Sequence, residues 1–418
     1  MKNSIKTAGK IFFLTVFFLA STFFTPPLFA SGKKKIDLTI WTLFSGGGGF
    51  IMTGLIEQFN KEHPDINIEE QKIEWGAYYT KLLTALISGY APDIAVMHLA
   101  ILPDYASKGV LNDIGKDLPA AFKDNILKEV INRAYYKGQL YAVPIDAHPL
   151  VMYYNKKILK EAGLVNARGE VLLPKTWDEL FKYAKQIKDV TGKWGLTSET
   201  GAMLGERWWI SLYSQLGGVF DPQKHTVDVK IAAKTYEMIL KFYEQGVAFA
   251  GGDYAEHETI FINGGTGYHF NGVWGMAIYP ITKGLEFGVT SIPAIPGSKP
   301  FTETGSHSFV FPKKRDKKKL AAALTFAQWL SAHSLEWAKA GQIPVNKTVL
   351  NSEALLNLPM RKDYIGVAKN VVYPPSMNGY PQLREQMWEL GQRVIEKDLT
   401  PEEAAKALNK KIKEITEG

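Results

Sequence analysis

The sequence predicts an α/β fold in which a mostly parallel sheet is covered by helices on both faces. Its 418 residues are 46% hydrophobic and 22% charged, which is typical of a globular chain. Strand and helix patterns alternate over residues 35–97, as they do in βαβ units. At about 150 residues per domain, the length indicates two or three domains.

The first part of the chain supplies the alternating pattern. Four-residue spacing of Ile51, Leu55 and Phe59 indicates an amphipathic helix after a glycine-rich turn. The predicted elements are a strand at Lys35–Phe44, a turn at Ser45–Gly49, a helix at Phe50–Glu62, a strand at Ile66–Trp75, a helix at Tyr78–Ser88 and a strand at Asp93–Met97.

Two extended, proline-containing stretches interrupt the later chain, at Leu140–Asn155 and Phe287–Pro300, and we expect the chain to cross between domains there. Between and after them the pattern is more helical. Thr176 and Glu179 have the spacing of a capping box, which predicts a helix from Thr176 to Lys188. Pro401, next to Thr400, predicts the start of the last helix.

The first thirty residues predict a secretory signal peptide. Lys2, Lys6 and Lys10 precede the apolar run Ile11–Ala20, and a cut after Ala30 is expected. An uncleaved membrane anchor is the alternative, but polar residues and two prolines interrupt the stretch of about 20 apolar residues that it needs. The mature protein is therefore expected to be exported, with the formal net charge of +7 reduced by three lysines.

The composition excludes several classes of function. With no cysteine, the chain has no disulfide, thiolate metal site, cysteine nucleophile or thiol lipid anchor. The basic run at 313–319 lacks interleaved aromatic residues, so no nucleic-acid partner is expected. By contrast, 19 tyrosines and 10 tryptophans offer flat rings with polar edges, which match the two faces of a sugar ring.

No catalytic or cofactor motif is found, and no cofactor or metal is expected. The glycine turn at 45–49 lacks the Lys-Ser/Thr of a phosphate-binding loop, so a polar-ligand loop and a plain turn remain equal alternatives. The eight histidines show no pair at metal-ligand spacing, and no Gly-x-Ser-x-Gly elbow is present. Carboxylate pairs of glycoside hydrolases come from distant segments, so one sequence leaves that alternative open.

An ordered series of segments resembles the carbohydrate-type extracellular solute-binding proteins of ABC importers, the group that contains maltose-binding protein. The resemblance covers essentially the whole mature chain and depends on the order of its pieces. These are Ile40-Trp41, Phe59-Asn60, 89–94 (GYAPDI), 109–111 (GVL), 138–155 (GQLYAVPIDAHPLVMYYN), 174–180 (PKTWDEL), 261–274 (FINGGTGYHFNGVW), 288–293 (GVTSIP) and 342–346 (QIPVN).

The resemblance implies the two-lobe periplasmic-binding-protein fold, type II-like, with a ligand cleft between the lobes. Lobe one would comprise residues 31–143 and 291–332, and lobe two residues 147–288 and 335–418, with hinge crossings at 144–146, 289–290 and 333–334. It implies a monomeric periplasmic receptor, not an enzyme, that delivers a sugar or oligosaccharide to the permease subunits of an ABC importer.

The resemblance also implies the residues of the sugar site. Trp274 matches the stacking tryptophan, Trp208 or Trp209 falls where a second ring is expected, and Asp146 and His148 follow the hinge proline. Asp93 has a structural alternative, the capping of the next turn, and four consecutive glycines replace the side chain often found after Ser45. The predicted ligand-binding residues are Ser45, Trp75, Asp93, His98, Asp146, His148, Trp208, Trp274, His307 and Tyr380.

Two alternatives to a neutral sugar receptor are weighed. A receptor for a glycerol-phosphate-type or acidic-sugar ligand would need arginine or lysine in the cleft, where the candidate positions hold aromatic residues, histidine and aspartate. An exported carbohydrate-active enzyme is the less favoured alternative.

Overall fold

The computed structural model describes residues 35–201, 204–220, 226–313 and 316–417. The predicted signal peptide, residues 1–30, lies outside these ranges. Within them, no helix combines the length and apolar character needed to cross a membrane.

The described residues form fourteen strands and seventeen α-helices, joined by loops and short 3-10 turns. The strands are β1 Ile36–Thr42, β2 Ile66–Lys72, β3 Ile94–His98, β4 Tyr135–Tyr136, β5 Gln139–Leu140, β6 Ala142–Pro144, β7 Asp146–Asn155, β8 Trp194–Thr197, β9 Thr266–Gly272, β10 Phe287–Thr290, β11 Thr302–Gly305, β12 His307–Val310, β13 Ile343–Pro344 and β14 Val371–Val372. The helices are α1 Gly46–Glu62, α2 Trp75–Ser88, α3 Leu102–Ala106, α4 Ala120–Asp124, α5 Lys128–Ile131, α6 Lys156–Glu161, α7 Trp177–Thr191, α8 Gly205–Gln215, α9 Val229–Glu244, α10 Tyr254–Ile262, α11 Lys317–Ala332, α12 Ser334–Ala338, α13 Lys347–Leu350, α14 Glu353–Leu356, α15 Arg361–Tyr364, α16 Tyr380–Ile395 and α17 Pro401–Glu417.

Two large sheets define two lobes. The first lobe contains the sheet β2-β1-β3-β12-β6, and the second contains β14-β11-β7-β9-β8, with β10 and β13 also paired to β7. The strands β1, β2 and β3 are parallel, as predicted. Both sheets are mixed. In the first, β12 runs antiparallel to β3 and β6. In the second, β7 runs antiparallel to β9, β10, β11 and β13, while β8 pairs with β9 and β14 with β11 in parallel. The α/β prediction is confirmed, but the parallel character is concentrated in the first lobe.

The glycine-rich segment is helical, where a turn was predicted. Ser45 is extended and caps α1, and Gly49 donates its backbone N–H to the Ser45 carbonyl at 3.0 Å. The glycines at 46–49 therefore form the first turn of the helix, four residues before the predicted start. Trp75 likewise begins α2 and does not end a strand, because the Glu74 carboxylate accepts hydrogen bonds from the N–H groups of Gly76 and Ala77.

Local capping signals were read correctly elsewhere. The Thr176 hydroxyl accepts a hydrogen bond from the Glu179 N–H, and the Glu179 carboxylate accepts one from the Thr176 N–H, so the predicted capping box is present. The same arrangement joins Thr400 and Glu403 at the start of the last helix. Such reciprocal caps satisfy N–H groups that the first helical turn leaves without partners.

The first crossing between the sheets is at Ile145, between β6 and β7, within the predicted 144–146. The second is at Ser306, between β11 and β12, and not at the predicted 289–290. Residues 287–290 form β10, which pairs with β7, and β11 also pairs with β7. Residues 291–305 therefore remain with the second sheet. The sequence did not predict this, because an extended segment does not show which strand it will pair with.

The third crossing between the lobes is spread over more residues than the first two. The predicted 333–334 falls between α11 and α12. Further along, Ile343 pairs with Ala147 of β7, while the Val345 carbonyl accepts a hydrogen bond from the Leu127 N–H in the first lobe. The turn at 343–346 is therefore in contact with both lobes.

A buried glutamine holds the segment that leads into the second crossing. The Gln215 side chain accepts hydrogen bonds from the Trp177 indole N–H at 2.9 Å and from the Ile295 N–H at 3.0 Å. It also donates to the carbonyl groups of Pro293 at 3.1 Å and Phe301 at 2.9 Å. One side chain thus satisfies four groups that would otherwise be buried without partners.

We expect Gln215→Leu to lower the free energy of unfolding by about 3 kcal/mol or more, because each buried group left without a partner costs about 1–3 kcal/mol. Chemical denaturation measures this change. The matched control is Gln58→Leu on α1, where the amide bonds the Glu62 carboxylate at the surface. That change should stay within about 0.5 kcal/mol of wild type. Equal midpoints for the two variants would contradict the role given to Gln215.

Candidate ligand-binding cleft

A cavity of about 220 Å³ lies between the two lobes, at the ends of β3, β9 and β12. It is lined by Leu43, Phe44, Ser45, Gly47, Gly48, Trp75, His98, His148, Arg207, Tyr254, Glu258, Trp274, Ala277, Ile278, His307, Ala340 and Gln342. A larger, open hollow of about 840 Å³ lies beside Arg133 and Tyr373, but none of the predicted site residues lines it. Six predicted residues converge on the smaller cavity: Ser45, Trp75, His98, His148, Trp274 and His307.

Asp146 lies beneath the cavity and is completely buried. Its carboxylate accepts hydrogen bonds from His148 Nδ1 at 3.0 Å, from His307 Nδ1 at 2.8 Å and from the His307 backbone N–H at 3.0 Å. The Trp337 indole N–H donates a further bond at 2.7 Å. Burial opposes ionisation, but His307 and His148 hold the pKa of Asp146 well below its usual range. Asp146 therefore positions two histidines and does not line the cavity.

The third histidine of the cleft, His98, is held by a tyrosine. Its Nδ1 makes a short contact with the Tyr79 hydroxyl, which also accepts a hydrogen bond from the His98 backbone N–H at 3.2 Å. Burial and the neighbouring His307 lower the pKa of His98, and the same causes lower that of His148 to about 3. Both rings are therefore neutral at neutral pH.

The three histidine rings form one cluster. Ring centroids are 4.1 Å apart for His148 and His307, 4.7 Å for His98 and His307, and 5.3 Å for His98 and His148. One ring nitrogen of each lies within 4.8 Å of those of the other two, so these residues could hold a metal ion. The wide spacing of the three positions along the chain hid this group from the sequence analysis.

Trp274 is half-buried at the cavity wall, in the 3-10 turn Val273–Ala277 that follows β9. Its indole N–H donates to the Tyr254 hydroxyl at 2.8 Å. The ring lies against Gly272, where a Cβ atom would come within 1.9 Å of it. The Arg207 guanidinium lies 5.3 Å from the ring centroid. The glycine at 272 therefore permits close packing of the indole. The rest of the ring is exposed to the cavity.

The only arginine among the lining residues, Arg207, is ion-paired with Glu303. Burial raises the pKa of Glu303 to about 7, although the guanidinium opposes the shift. Because the Glu303 carboxylate offsets the positive charge of the guanidinium, Arg207 does not make the cavity strongly cationic.

The two lobes touch beside the cavity. A Cβ atom on Gly47, in the first turn of α1, would lie 2.5 Å from the carbonyl oxygen of Ala277 in the second lobe. Heavy atoms cannot approach so closely, so only glycine fits at this position in the closed arrangement. The cavity is consequently shut on this side by backbone against backbone.

Three predicted residues besides Asp146 lie outside the cavity. Asp93 accepts a hydrogen bond from the Thr39 N–H of β1 at 2.9 Å and pairs with Lys319 of α11 at 3.3 Å, a structural role other than the capping of the next turn that was the alternative. Trp208 is 1% exposed and packs in the second-lobe core. Tyr380 is buried at the start of α16, and burial raises its pKa.

The structure adds polar residues that the sequence analysis missed. Arg207 is adjacent to the predicted Trp208, and the helix turns the arginine toward the cavity and the tryptophan into the core. Tyr254 and Glu258 are four residues apart on α10 and therefore share one helix face. That four-residue spacing is the feature of the sequence that could have predicted their common position. Gln342 lies in the segment 342–346 that carried part of the resemblance.

The chain matches one known protein family over most of its length. Residues 48–334 match the family described as bacterial extracellular solute-binding protein. The chain belongs to this family. The resemblance drawn from the sequence motifs is therefore confirmed, and so is the two-lobe fold.

Individual relatives are distant but cover most of the chain. The arabinooligosaccharide-binding protein of Bacillus subtilis is 27% identical over 360 residues, which cover 80% of this chain and 79% of that protein. The maltotriose-binding protein of Pyrococcus abyssi is 26% identical over 343 residues, covering 79% and 70% respectively. The solved GacH receptor of Streptomyces glaucescens has a TM-score of 0.80 at 21% identity, covering 92% of this chain and 99% of that one.

Proposed function

We propose that this protein is an exported receptor that captures a sugar or oligosaccharide between its lobes and delivers it to the permease subunits of an ABC importer. The observation that carries the proposal is the partly exposed Trp274 indole in a cavity lined by polar groups from both lobes. Its family and the sugar-binding relatives described above support the same ligand class.

The cavity chemistry suits a sugar. The apolar C–H face of a pyranose ring can lie on the indole, as apolar surfaces lie on aromatic rings elsewhere. Its hydroxyl groups can donate to histidine nitrogens and to the Glu258 carboxylate and accept from the Gln342 amide. The first turn of α1 adds the backbone N–H groups of Gly47 and Gly48, which donate to no capping side chain of Ser45 and belong to residues that line the cavity.

Ligand binding is coupled to closure in this proposal. A sugar that contacts both lobes binds the closed form better than the open form, and that difference in affinity is what shifts the equilibrium. The closed surface would then be recognised by the permease. In this proposal the predicted signal peptide directs export, the mature chain starts at Ser31, and the protein acts as a monomer in the periplasm without a cysteine-linked lipid, since the sequence contains no cysteine.

The alternative of a phosphate or acidic-sugar ligand is disfavoured by the pairing of Arg207 with Glu303. The alternative of an exported carbohydrate-active enzyme has no specific observation in its favour. Analysis of the incubated sugars for cleavage products tests it directly.

A carbohydrate panel measured by thermal shift tests the proposal as a whole. A cognate sugar at about 100 times its Kd should stabilise the protein by about 2.7 kcal/mol. Because a neutral sugar forms no ion pair, its affinity should be unchanged between low and high salt. Failure of every neutral sugar, together with stabilisation by an anionic ligand that weakens about tenfold in salt, would establish the alternative instead.

Trp274→Ala should weaken binding of the sugar found in the panel about 5- to 150-fold, because aromatic stacking contributes about 1–3 kcal/mol in the related case of nucleic-acid bases. Stability without ligand should change little, since the ring is only half-buried. The control is Trp208→Ala, which removes a core ring and should cost about 3–5 kcal/mol of stability with affinity retained. Titration calorimetry and denaturation measure both quantities, and unchanged affinity in Trp274→Ala would remove this residue from the site.

Gly47→Ala should weaken the same sugar about 5- to 150-fold, because overpacking against the Ala277 carbonyl costs about 1–3 kcal/mol in the closed form only. The control is Gly54→Ala on the same helix, where a Cβ atom would have nothing within 4 Å. That change should leave affinity unaltered and raise helix stability by up to about 1 kcal/mol. Equal affinity for the two variants would show that closure does not bring Gly47 and Ala277 together.

A further inference from the structure

We propose that His98, His148 and His307 form a binding site for a divalent transition-metal ion of the zinc class. This inference goes beyond the proposed sugar receptor and does not depend on it.

The cluster is assembled at the hinge. His307 and His98 are directly paired residues of β12 and β3, and His148 is paired with Gly305 of β11. His307 directly follows the crossing at Ser306, and His148 lies three residues after the crossing at Ile145. Since hinge residues move least when lobes close, the three rings are expected to stay together whether or not a sugar is bound.

The hydrogen bonds select the tautomer that binds metals. Carboxylate oxygens only accept hydrogen bonds, so the contacts of Asp146 with His148 Nδ1 and His307 Nδ1 require a proton on each of these nitrogens. In a neutral ring with this tautomer, Nε2 carries the lone pair that a metal ion needs. A carboxylate behind a histidine is the usual outer-sphere partner of a metal-bound imidazole.

His98 can adopt the same tautomer. The Tyr79 hydroxyl oxygen already accepts the His98 backbone N–H, and it can accept Nδ1–H as well. This arrangement leaves Nε2 of His98 as the third lone pair. With this tautomer, Nε2 would be the ring nitrogen that each of the three histidines offers to an ion.

One of these nitrogens lacks a hydrogen-bond partner. Nε2 of His148 is buried and has no hydrogen-bond partner among the described residues, although the side chain is only 1% exposed. A Cβ atom on Gly305 would lie 2.2 Å from it, so any larger residue would cover this nitrogen. A buried polar atom without a partner is costly, and a bound ion would supply the missing partner.

The dimensions fit an ion with small adjustments. The cluster nitrogens lie within 4.8 Å of one another, whereas a tetrahedral ion with Zn–N bonds of about 2.0–2.1 Å holds them about 3.4 Å apart. Side-chain rotations that bring the nitrogens up to about 1.4 Å closer would suffice. Three imidazoles leave a fourth position toward the cavity, where water or a sugar oxygen can bind. Imidazole ligands suit zinc, copper, nickel and iron and do not select one of them.

The test uses untagged, chelator-stripped protein titrated with Zn²⁺ and, separately, with Co²⁺ as a spectroscopic probe, both without sugar. We expect one ion per chain and the visible absorption of cobalt in a low-symmetry nitrogen site. His98→Gln and His307→Gln should each weaken binding by more than the 10- to 100-fold typical of outer-sphere changes. Tyr79→Phe should weaken it less and shift the cobalt spectrum.

The matched control is His63→Gln, which removes a histidine that lies on Phe59 outside the cleft and should leave the affinity for Zn²⁺ unchanged. Circular dichroism of each variant excludes loss of folding as the cause. Absence of stoichiometric Zn²⁺ and Co²⁺ binding by the wild-type chain, or binding that survives in His98→Gln and His307→Gln, would overturn the proposal. The sugar panel is run with chelator present, so either proposal can fail alone.

Discussion

The interactions of the Asp146 carboxylate are the constraint on which the cleft depends. Four N–H donors, on β7, β12 and α12, converge on one completely buried anion beside the first two crossings. A buried charge is stable only when such partners satisfy it, and removing a partner is costly. The carboxylate therefore fixes the strand ends, the tautomers of two histidines and the floor of the cavity at the same time.

Local signals in the sequence predicted local structure well. The capping box at Thr176, the helix that starts at Pro401 and the crossing near Ile145 all follow from residues close together in the chain. The crossing at Ser306 did not, because the partner of an extended segment is chosen by distant strands. The glycines before Phe50 were predicted to form a turn, since glycine disfavours helices, but the packing of the buried face of α1 outweighs that preference.

The site was predictable in part, through the resemblance to the solute-binding family. Its ordered motifs implied site positions for His98, Trp274 and His307, and these residues line the cavity. The role of Asp146 was not predictable, since only the folded chain shows its oxygens occupied by N–H donors. Trp208 and Arg207 show how precise such a prediction must be on a helix. They are neighbours in the chain, yet Trp208 lies in the core and Arg207 lines the cavity.

The helical first turn of α1 has a consequence for how ligand preference can evolve. Its glycines present only backbone to the cavity, whereas the second lobe contributes the Arg207, Tyr254, Glu258 and Trp274 side chains. Backbone groups are identical whatever the sequence, so this turn is a generic part of the cleft. Discrimination between ligands is then encoded in the side chains around it, which include Trp75, His98 and His307 of the first lobe. Substitutions among those side chains can retarget the receptor while the backbone contacts of the turn remain unchanged.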